Sequence, residues 1–286
     1  MQQGISFIDL GATLIGIIDA DSFAIVVDSG ISNDHAKKIA KAAGKPVKVV
    51  LLTHLHADHT GGASFFAKGG AEVYISKYEL SFIINHELNT ALLYGGIPPK
   101  MYRRPFFLSE SVNAIPFEHE IPIEIGGVKI LPIKTDGHSI GHTSFLVGST
   151  LFAGDALTSP NVTAKHKLIY NYCPVRALAA LERIKQLDFT ETILCHKDII
   201  DKKTAINYAC LQREHILSVY ADLKEIINGK PAGIETITEL VCKKRGLNIS
   251  QDSYLLAIST IKGYLSDMEA RGDIAVYFED GRILFS

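Results

Sequence analysis

The part of this sequence that most constrains its fold is the cluster formed by His54, His56, Asp58 and His59. Residues 47–52, directly before it, are a run of valine and leucine with one lysine, which is typical of a strand buried on both faces. Layered α/β proteins place polar chemistry on the loop that follows such a strand. Imidazole and carboxylate groups are ligands for divalent ions such as zinc, so the cluster predicts a metal site.

Further histidines and an aspartate follow at positions where predicted strands end. They are His138, His142, Asp155 and His196. His54 and His56 alternate on an extended chain, so both can point the same way, and Asp58 and His59, beyond the turn, can address a second ion. A histidine-rich loop without a metal is the alternative interpretation, and these later positions weigh against it.

Five sequence elements together resemble the metallo-β-lactamase superfamily of metal-dependent hydrolases. They are the DSG turn at 28–30, the THxHxDHxGG motif at 53–62, the GHxxGH motif at 137–142, the GD pair at 154–155 and the late His196. The resemblance covers residues 1 to about 200. It implies an α/β fold, a four-layer αββα sandwich, with a dinuclear metal site at one edge.

The resemblance also implies a role for each candidate residue. The ligands form two sets that share one carboxylate: His54, His56 and His138 for the first ion, Asp58, His59 and His196 for the second, and Asp155 bridging them. His142 would lie behind the ligands rather than among them. The expected cofactors are two divalent metal ions, zinc foremost, although histidine and aspartate also suit iron and manganese.

The segment around the last histidine departs from the family pattern. Members often carry glycine on both sides of this histidine, whereas this sequence has Cys195 before His196. A soft thiolate ligand is one interpretation. We expect instead a small buried residue at a strand end, since free cysteine is among the most buried residue types.

The implied site suggests a hydrolytic reaction. Two metal ions that share a water lower its pKa and supply hydroxide near neutral pH, and a metal ion stabilises the oxyanion that forms. Asp58 would orient the hydroxide and carry a proton. The motif offers no separate acid for the leaving group, which favours the ester, thioester and lactone bonds of small molecules. His56 supports hydrolysis, because diiron relatives tend to carry glutamate there.

Three other activities are alternatives to this one. The metal motifs fit hydroxyacylglutathione hydrolase, but the basic C-terminal glutathione-binding sequence of that enzyme has no recognisable counterpart. A winged-helix-like tail resembles the lactamase-beta-2-like group, which includes a single-strand endoribonuclease, so a phosphodiesterase is the leading alternative. A persulfide dioxygenase with one iron shares most of the ligands and also stays open.

Residues 76–117 lie between the second and third motifs, where relatives place loops that overhang the metal ions. The candidates for substrate binding in this region are Tyr94, Tyr102, Arg103 and Arg104. They would form a lid with an anion-binding arginine pair. The alternative is that the aromatic residues pack on the sandwich or on a second subunit.

The sequence pattern changes near residue 204, which predicts a catalytic domain over 1–203 and a small α+β module over 204–286. Helical patterns at 205–228, 236–245 and 253–271 precede two strand-like segments that flank Asp280 and Gly281, a strong hairpin signal. This order is typical of a winged-helix-like module. Such a module would brace the catalytic domain or help to form a homodimer.

Composition excludes several classes of protein. The 286 residues carry 29 Lys+Arg and 31 Asp+Glu, a net charge of −2, which argues against binding nucleic acid or membranes through bulk charge. The four cysteines include no CxxC pair, which fits a reducing compartment. No signal-peptide pattern and no run of ~20 apolar residues occurs. We therefore expect a cytoplasmic protein whose partner is a small-molecule substrate.

Overall fold

Two six-stranded sheets form the centre of the structure, a computed structural model that describes residues 4–196 and 198–286. The strands of the first sheet lie side by side in sequence order: β1 (Ile5–Asp9), β2 (Leu14–Ala20), β3 (Phe23–Val27), β4 (Val47–Leu51), β5 (Glu72–Ser76) and β6 (Ile115–Phe117). The pairs from β1 to β3 are antiparallel, and those from β3 to β6 are parallel. The carboxyl ends of β3 and β4 therefore meet at one edge.

The second sheet is almost entirely antiparallel. Its strands are β7 (Ile123–Ile125), β8 (Val128–Lys134), β9 (Thr143–Val147), β10 (Thr150–Gly154), β11 (Glu191–Leu194) and β12 (Asp198–Asp201), again in sequence order. Only the β10–β11 pair is parallel among these. This parallel pair places the chain that leaves β10 and the chain that leaves β11 at the same edge of the sheet.

The helices lie outside the two sheets or on the loops that join the strands. They are α1 (Asn33–Ala43), α2 (Ala57–Thr60), α3 (Ala63–Lys68), α4 (Leu80–Ile84), α5 (Glu87–Tyr94), α6 (Pro160–His166), α7 (Pro174–Gln186), α8 (Lys202–Ile227), α9 (Ile234–Lys244) and α10 (Gln251–Ala270), with a 3₁₀ turn at Lys100–Tyr102. Helix α8 begins where the Asp201 carboxylate accepts a hydrogen bond from the Thr204 amide at 2.8 Å.

Three apolar clusters give the order of the layers. Ile39 of α1 and Phe66 of α3 pack on one face of the first sheet. The opposite face of that sheet meets the second sheet, with Leu51 and Phe145 in one buried cluster. Leu181 of α7 packs on the far face of the second sheet. The predicted four-layer αββα sandwich is confirmed.

The C-terminal helices share their core with the sandwich. Val219 of α8, Val241 of α9 and Leu265 of α10 belong to the same buried cluster as Leu151 and Leu194 of the second sheet. The chain ends in a hairpin of β13 (Val276–Glu279) and β14 (Arg282–Phe285), which confirms the predicted ribbon. The division at residue 204 and the winged-helix assignment stay predictions.

None of the described helices combines the length and the apolar character that a membrane crossing requires.

Candidate metal centre

The histidine cluster lies on the loop that follows β4, at the edge where β3 also ends. The Asp28 carboxylate, after β3, accepts hydrogen bonds from the Thr53 amide at 2.8 Å and from the Thr53 hydroxyl. Two glycines let the loop pass close to the chain after β3, because a Cβ on Gly61 would lie 2.2 Å from the Ile31 carbonyl oxygen and one on Gly62 2.3 Å from that of Ser29. The loop can therefore take this path only with glycine at both positions of the motif.

A first group of donor atoms combines both sheets. It consists of His54, His56, His138 and Asp155, whose ligand atoms all lie within 4.8 Å of one another. The His56 Nδ1 atom is 2.9 Å from His54 Nε2 and 3.0 Å from His138 Nε2. Three imidazoles whose nitrogens face one point are arranged as ligands around a cation.

A second group lies on the other side of Asp155. It consists of His59, Asp155, Cys195 and His196, again with ligand atoms within 4.8 Å of one another. The Asp155 Oδ1 atom is 3.5 Å from His59 Nε2 and 3.4 Å from His196 Nε2. Its Oδ2 atom is 3.4 Å from His138 Nε2 in the first group. One carboxylate thus offers an oxygen to each group.

Asp58 lies at the border of the second group. Its Oδ2 atom is 3.6 Å from His59 Nε2, and its side chain remains 35% exposed. The structure therefore brings all seven predicted metal ligands to one place. It adds Cys195, whose Sγ donates to Asp155 Oδ1 at 2.6 Å, to the donor atoms of the second group.

The residues fit a bound cation on an observation independent of the motif. The Nε2 atom of His59 is buried and has no hydrogen-bond partner. The opposite nitrogen of the ring, Nδ1, lies 2.8 Å from Asp28 Oδ2, and as donor it leaves the lone pair of Nε2 directed at Asp155. An unpaired buried nitrogen costs free energy that a metal bond would offset.

Backbone carbonyls orient two further ligands in the same way. His138 Nδ1 lies 3.0 Å from the Tyr170 carbonyl oxygen, and His196 Nδ1 lies 3.0 Å from that of Ala12. When Nδ1 donates the hydrogen bond, Nε2 carries the free lone pair, which is the tautomer that a metal ion needs.

The electrostatic environment separates the two groups. Burial lowers the pKa of His54 and His138 well below the usual value, so both imidazoles are neutral. Burial also opposes protonation of His59, but the carboxylates of Asp58, Asp28 and Asp155 outweigh it and raise its pKa to about 10. The second group therefore favours a positive charge, whether a proton or a metal ion.

His142 uses both ring nitrogens within the protein. The Asp155 amide donates to His142 Nε2 at 2.9 Å, and His142 Nδ1 lies 3.0 Å from the Thr135 hydroxyl. Burial lowers its pKa to about 3, so the ring is neutral. A Cβ on Gly154 would lie 2.5 Å from Nε2, which explains the glycine before Asp155. His142 thus holds the backbone that carries a shared ligand.

A cavity of about 520 Å³ opens over the donor groups. His56, Asp58, His138, Asp155 and His196 form its floor. Its walls come from the segment around α5, from α6 and the residues after it, and from α10 with the loop before it. The volume lies within the range of about 300–1,000 Å³ that is usual for small-molecule sites.

The four residues predicted to bind substrate lie elsewhere. Tyr102 is buried in a cluster with Leu93, Phe107 and Leu255, and Tyr94 is exposed. Arg103 Nε donates to the Pro98 carbonyl at 3.0 Å, and Arg104 forms an ion pair with Asp252 of α10. None of the four lines the described cavity.

The same segment reaches the cavity through other side chains, namely Asn89, Leu93, Phe106 and Phe107. The expected anion-binding arginine pair is thus not supported by the geometry, because the Arg104 guanidinium is already engaged by a carboxylate.

Sequence reasoning missed Glu79, a fully buried carboxylate. It accepts hydrogen bonds from the Ser139 hydroxyl and from the Gly141 amide, the latter at 2.9 Å. An isolated glutamate has no motif around it that would have identified it.

Comparison with known proteins agrees with this geometry. Residues 8–196, more than half of the chain, match the family model of the metallo-beta-lactamase superfamily. A hydroxyacylglutathione hydrolase of Xylella fastidiosa (strain 9a5c) is 28% identical over 183 residues, 63% of this chain and 57% of that protein. The metallo-beta-lactamase fold-containing protein ST1585 of Sulfurisphaera tokodaii is 25% identical over 154 residues, 49% of this chain and 55% of that one. The chain thus spans little more than half the length of these relatives.

Solved structures share the fold over nearly the whole chain. The metallo-beta-lactamase family protein TTHA1429 from Thermus thermophilus aligns with a TM-score of 0.76 and 17% identity, covering 99% of this chain and 98% of that one. A beta-lactamase domain protein from Burkholderia ambifaria aligns with a TM-score of 0.68 and 18% identity, covering 99% and 90%. By its motifs, its fold and the family match, this chain belongs to the metallo-beta-lactamase superfamily.

Proposed function

We propose that this protein is a dinuclear metal-dependent hydrolase that cleaves an ester, thioester or lactone-type bond of a small molecule. The observation that carries the proposal is the position of Asp155, which offers one oxygen to each of two donor groups at the floor of the cavity. Two adjacent cation sites that open into a substrate-sized space are the arrangement of hydrolytic dinuclear centres.

The residues assigned to the ions follow from the two groups. His54, His56 and His138 would hold the first ion, and His59 and His196, with Asp58 at the border, the second. Bound there, two divalent ions, zinc foremost, would supply a hydroxide nucleophile at neutral pH and polarise the bond under attack.

The carboxylate of Asp58 is suited to proton transfer. Among the described residues that line the cavity, the carboxylates are those of Asp58 and Asp155. Asp155 lies between the two donor groups, whereas Asp58 is partly exposed to the cavity. We infer that Asp58 holds the attacking water through an oxygen and accepts its proton.

The relatives support a thioester among the candidate substrates. Several of them are named hydroxyacylglutathione hydrolase, and a hydroxyacylglutathione is a thioester. Because the similarity to the Xylella fastidiosa protein covers only 57% of the length of that protein, we do not propose glutathione as part of the substrate of this one.

Two alternatives define the test. A single-strand endoribonuclease would use the same ions on a phosphodiester, and a persulfide dioxygenase would use one iron. We would measure the metal content of the purified protein and its activity on thioesters, aryl esters, lactones, a phosphodiester and short single-stranded RNA. About two zinc ions per chain with turnover of a carbonyl substrate is the expected result. RNA cleavage, or one iron per chain with persulfide oxidation, would contradict the proposal.

A further inference from the structure

The cavity above the donor groups has a polar floor and largely apolar walls, whose polar side chains, such as Asn89, Asn248, Ser253 and Thr260, are uncharged. Its charged lining residues within the described chain are Asp58 and Asp155 at the floor and Lys165 on α6. Lys165 and its neighbour His166 are exposed, so they lie on the solvent side of the cavity. The interior beyond the floor therefore offers no charged partner to a ligand.

One apolar wall comes from the C-terminal part of the chain. Leu247 and Ile249 on the loop before α10, and Leu256 and Ala257 on α10 itself, line the cavity. Ala257 is only 7% exposed. These residues lie beyond residues 8–196, the part of the chain that matches the family model, so this wall is a feature of the chain outside the family match.

A second wall comes from α5 and from the residues that follow the 3₁₀ turn. Leu93 and Phe107 line the cavity and are each 3% exposed, and Phe106 lies beside Phe107 with ring centroids 4.8 Å apart. Together with the C-terminal wall, these side chains enclose an apolar compartment next to the metal donors.

Direct contacts fix the two walls to each other. Arg104 forms an ion pair with Asp252, and Gln251 Nε2 donates to the Met101 carbonyl at 3.4 Å. Leu255 of α10 packs in the same buried cluster as Phe107. The compartment is therefore formed before a ligand binds, which reduces the entropy lost on binding.

We propose that this compartment binds an aliphatic acyl chain, so that the substrate is a fatty-acyl ester or thioester whose polar leaving group lies toward Lys165. The proposal rests on the proposed hydrolase function and adds the substrate class to it. An uncharged, unbranched chain matches apolar walls without charged partners, and the scissile carbonyl then lies at the floor beside Asp58 and Asp155. Each methylene buried in the compartment contributes about fourfold to binding.

The test is a series of aryl esters from acetyl to dodecanoyl, hydrolysed by the zinc-loaded full-length protein. We expect kcat/KM to rise about fourfold per methylene until the compartment is full, and then to fall. A profile that is flat while the esters are still hydrolysed would overturn the acyl-chain proposal and leave the hydrolase function standing.

Two variants locate the effect. Ala257→Trp fills the compartment from α10, and Lys262→Trp adds the same side chain at an exposed position of the same helix. We expect Ala257→Trp to lower kcat/KM for the octanoyl ester at least about tenfold more than for the acetyl ester, whereas Lys262→Trp changes neither. Equal losses of kcat/KM on both esters, with an unchanged melting temperature, would mean that the acyl chain binds outside this compartment. If Ala257→Trp does not fold, Ala257→Leu serves instead and should shorten the preferred chain.

A binding measurement separates this proposal from the hydrolase function. Calorimetry with octanoate should show binding to the wild-type protein that Ala257→Trp weakens about tenfold. If no ester is hydrolysed but octanoate binds in this way, the compartment is as proposed and the hydrolytic activity is wrong. Absence of octanoate binding together with a flat ester profile would overturn the acyl-chain proposal.

Discussion

His59 is fixed in the second group through one of its two ring nitrogens. Its Nδ1 atom contacts the Asp28 carboxylate, while its Nε2 atom is buried without a hydrogen-bond partner. We predict that His59→Ala reduces the bound zinc from about two ions per chain to about one, because the second group loses its deepest nitrogen. The far-ultraviolet circular dichroism should stay unchanged. Metal analysis after dialysis measures the effect, and full occupancy in the variant would remove His59 from the ligands.

Cys195 is buried, as expected, but its sulfur atom also lies among the donor atoms of the second group. Its Sγ is buried and lies 2.6 Å from Asp155 Oδ1, within the set of donor atoms that includes His59 and His196. We predict that the cobalt-substituted protein shows thiolate-to-cobalt charge-transfer absorption in the near ultraviolet, since a thiolate next to a carboxylate is stable only beside a cation.

The absorption should disappear in Cys195→Ser and persist in Cys242→Ser, which changes another buried cysteine. A wild-type cobalt protein without this band would mean that the Cys195 thiol stays protonated and only donates to Asp155.

At the scale of elements, Glu79 connects segments that come from different sheets. It lies just before α4, after the first sheet's β5, and its carboxylate accepts from Ser139 and Gly141 on the loop before β9, in the second sheet. Burial raises its pKa to about 7, against an ordinary value of 4.5. Between pH 4.5 and pH 7 the Glu79 carboxyl is protonated in the folded protein and ionised in the unfolded chain. The free energy of unfolding therefore falls as the pH rises through this range.

Glu79→Gln keeps an oxygen acceptor for both hydrogen bonds and removes the buried charge. We predict that the difference in melting temperature between this variant and wild type grows in favour of the variant as the pH rises from 5 to 8. The growth should be roughly 2–4 °C for each kcal/mol by which burial of the ionised carboxylate destabilises the wild type. Thermal melts at saturating zinc would measure this. Glu87→Gln, on the exposed surface of α5, is the control and should show no such trend. A difference that is independent of pH would contradict the shifted pKa.

The elements that could be read from the sequence are those whose signals are local. The run before His54 became β4, and the Asp280-Gly281 pair became the turn of the final hairpin, with φ values of 49° and 76°. The lining of the cavity is not local, because Phe106 and Phe107 line it together with Leu256 and Ala257 of α10, which lie far along the chain. Aromatic and basic composition therefore pointed to Tyr102 and Arg104, which instead fix the segment to α10 and its neighbours.

At the scale of the whole molecule, the metal site depends on two sheets and the cavity on the C-terminal helices as well. Donor atoms arrive from the loop after β4, from the loop after β8 and from the ends of β10 and β11. The resemblance of the motifs to the superfamily implied that these donors would meet. It could not predict that α10 would form a wall above them, since that contact joins residues as distant as Arg104 and Asp252.

The continuous core predicts how the whole chain unfolds. Leu223 and Ile261 of the C-terminal helices lie in one buried cluster with Leu181 of α7 and Leu151 of β10, so the two parts share the apolar surface that stabilises both. We predict a single calorimetric unfolding transition for the zinc-loaded chain, despite the change of sequence pattern near residue 204.

The variant Leu223→Ala tests this prediction, because it leaves a cavity in that cluster. It should lower the free energy of unfolding by about 2–5 kcal/mol and shift the whole transition to lower temperature without splitting it. The exposed Leu211→Ala on the same helix is the control. Two resolved transitions, with only one of them moved by Leu223→Ala, would show instead that residues 204–286 fold as a module of their own.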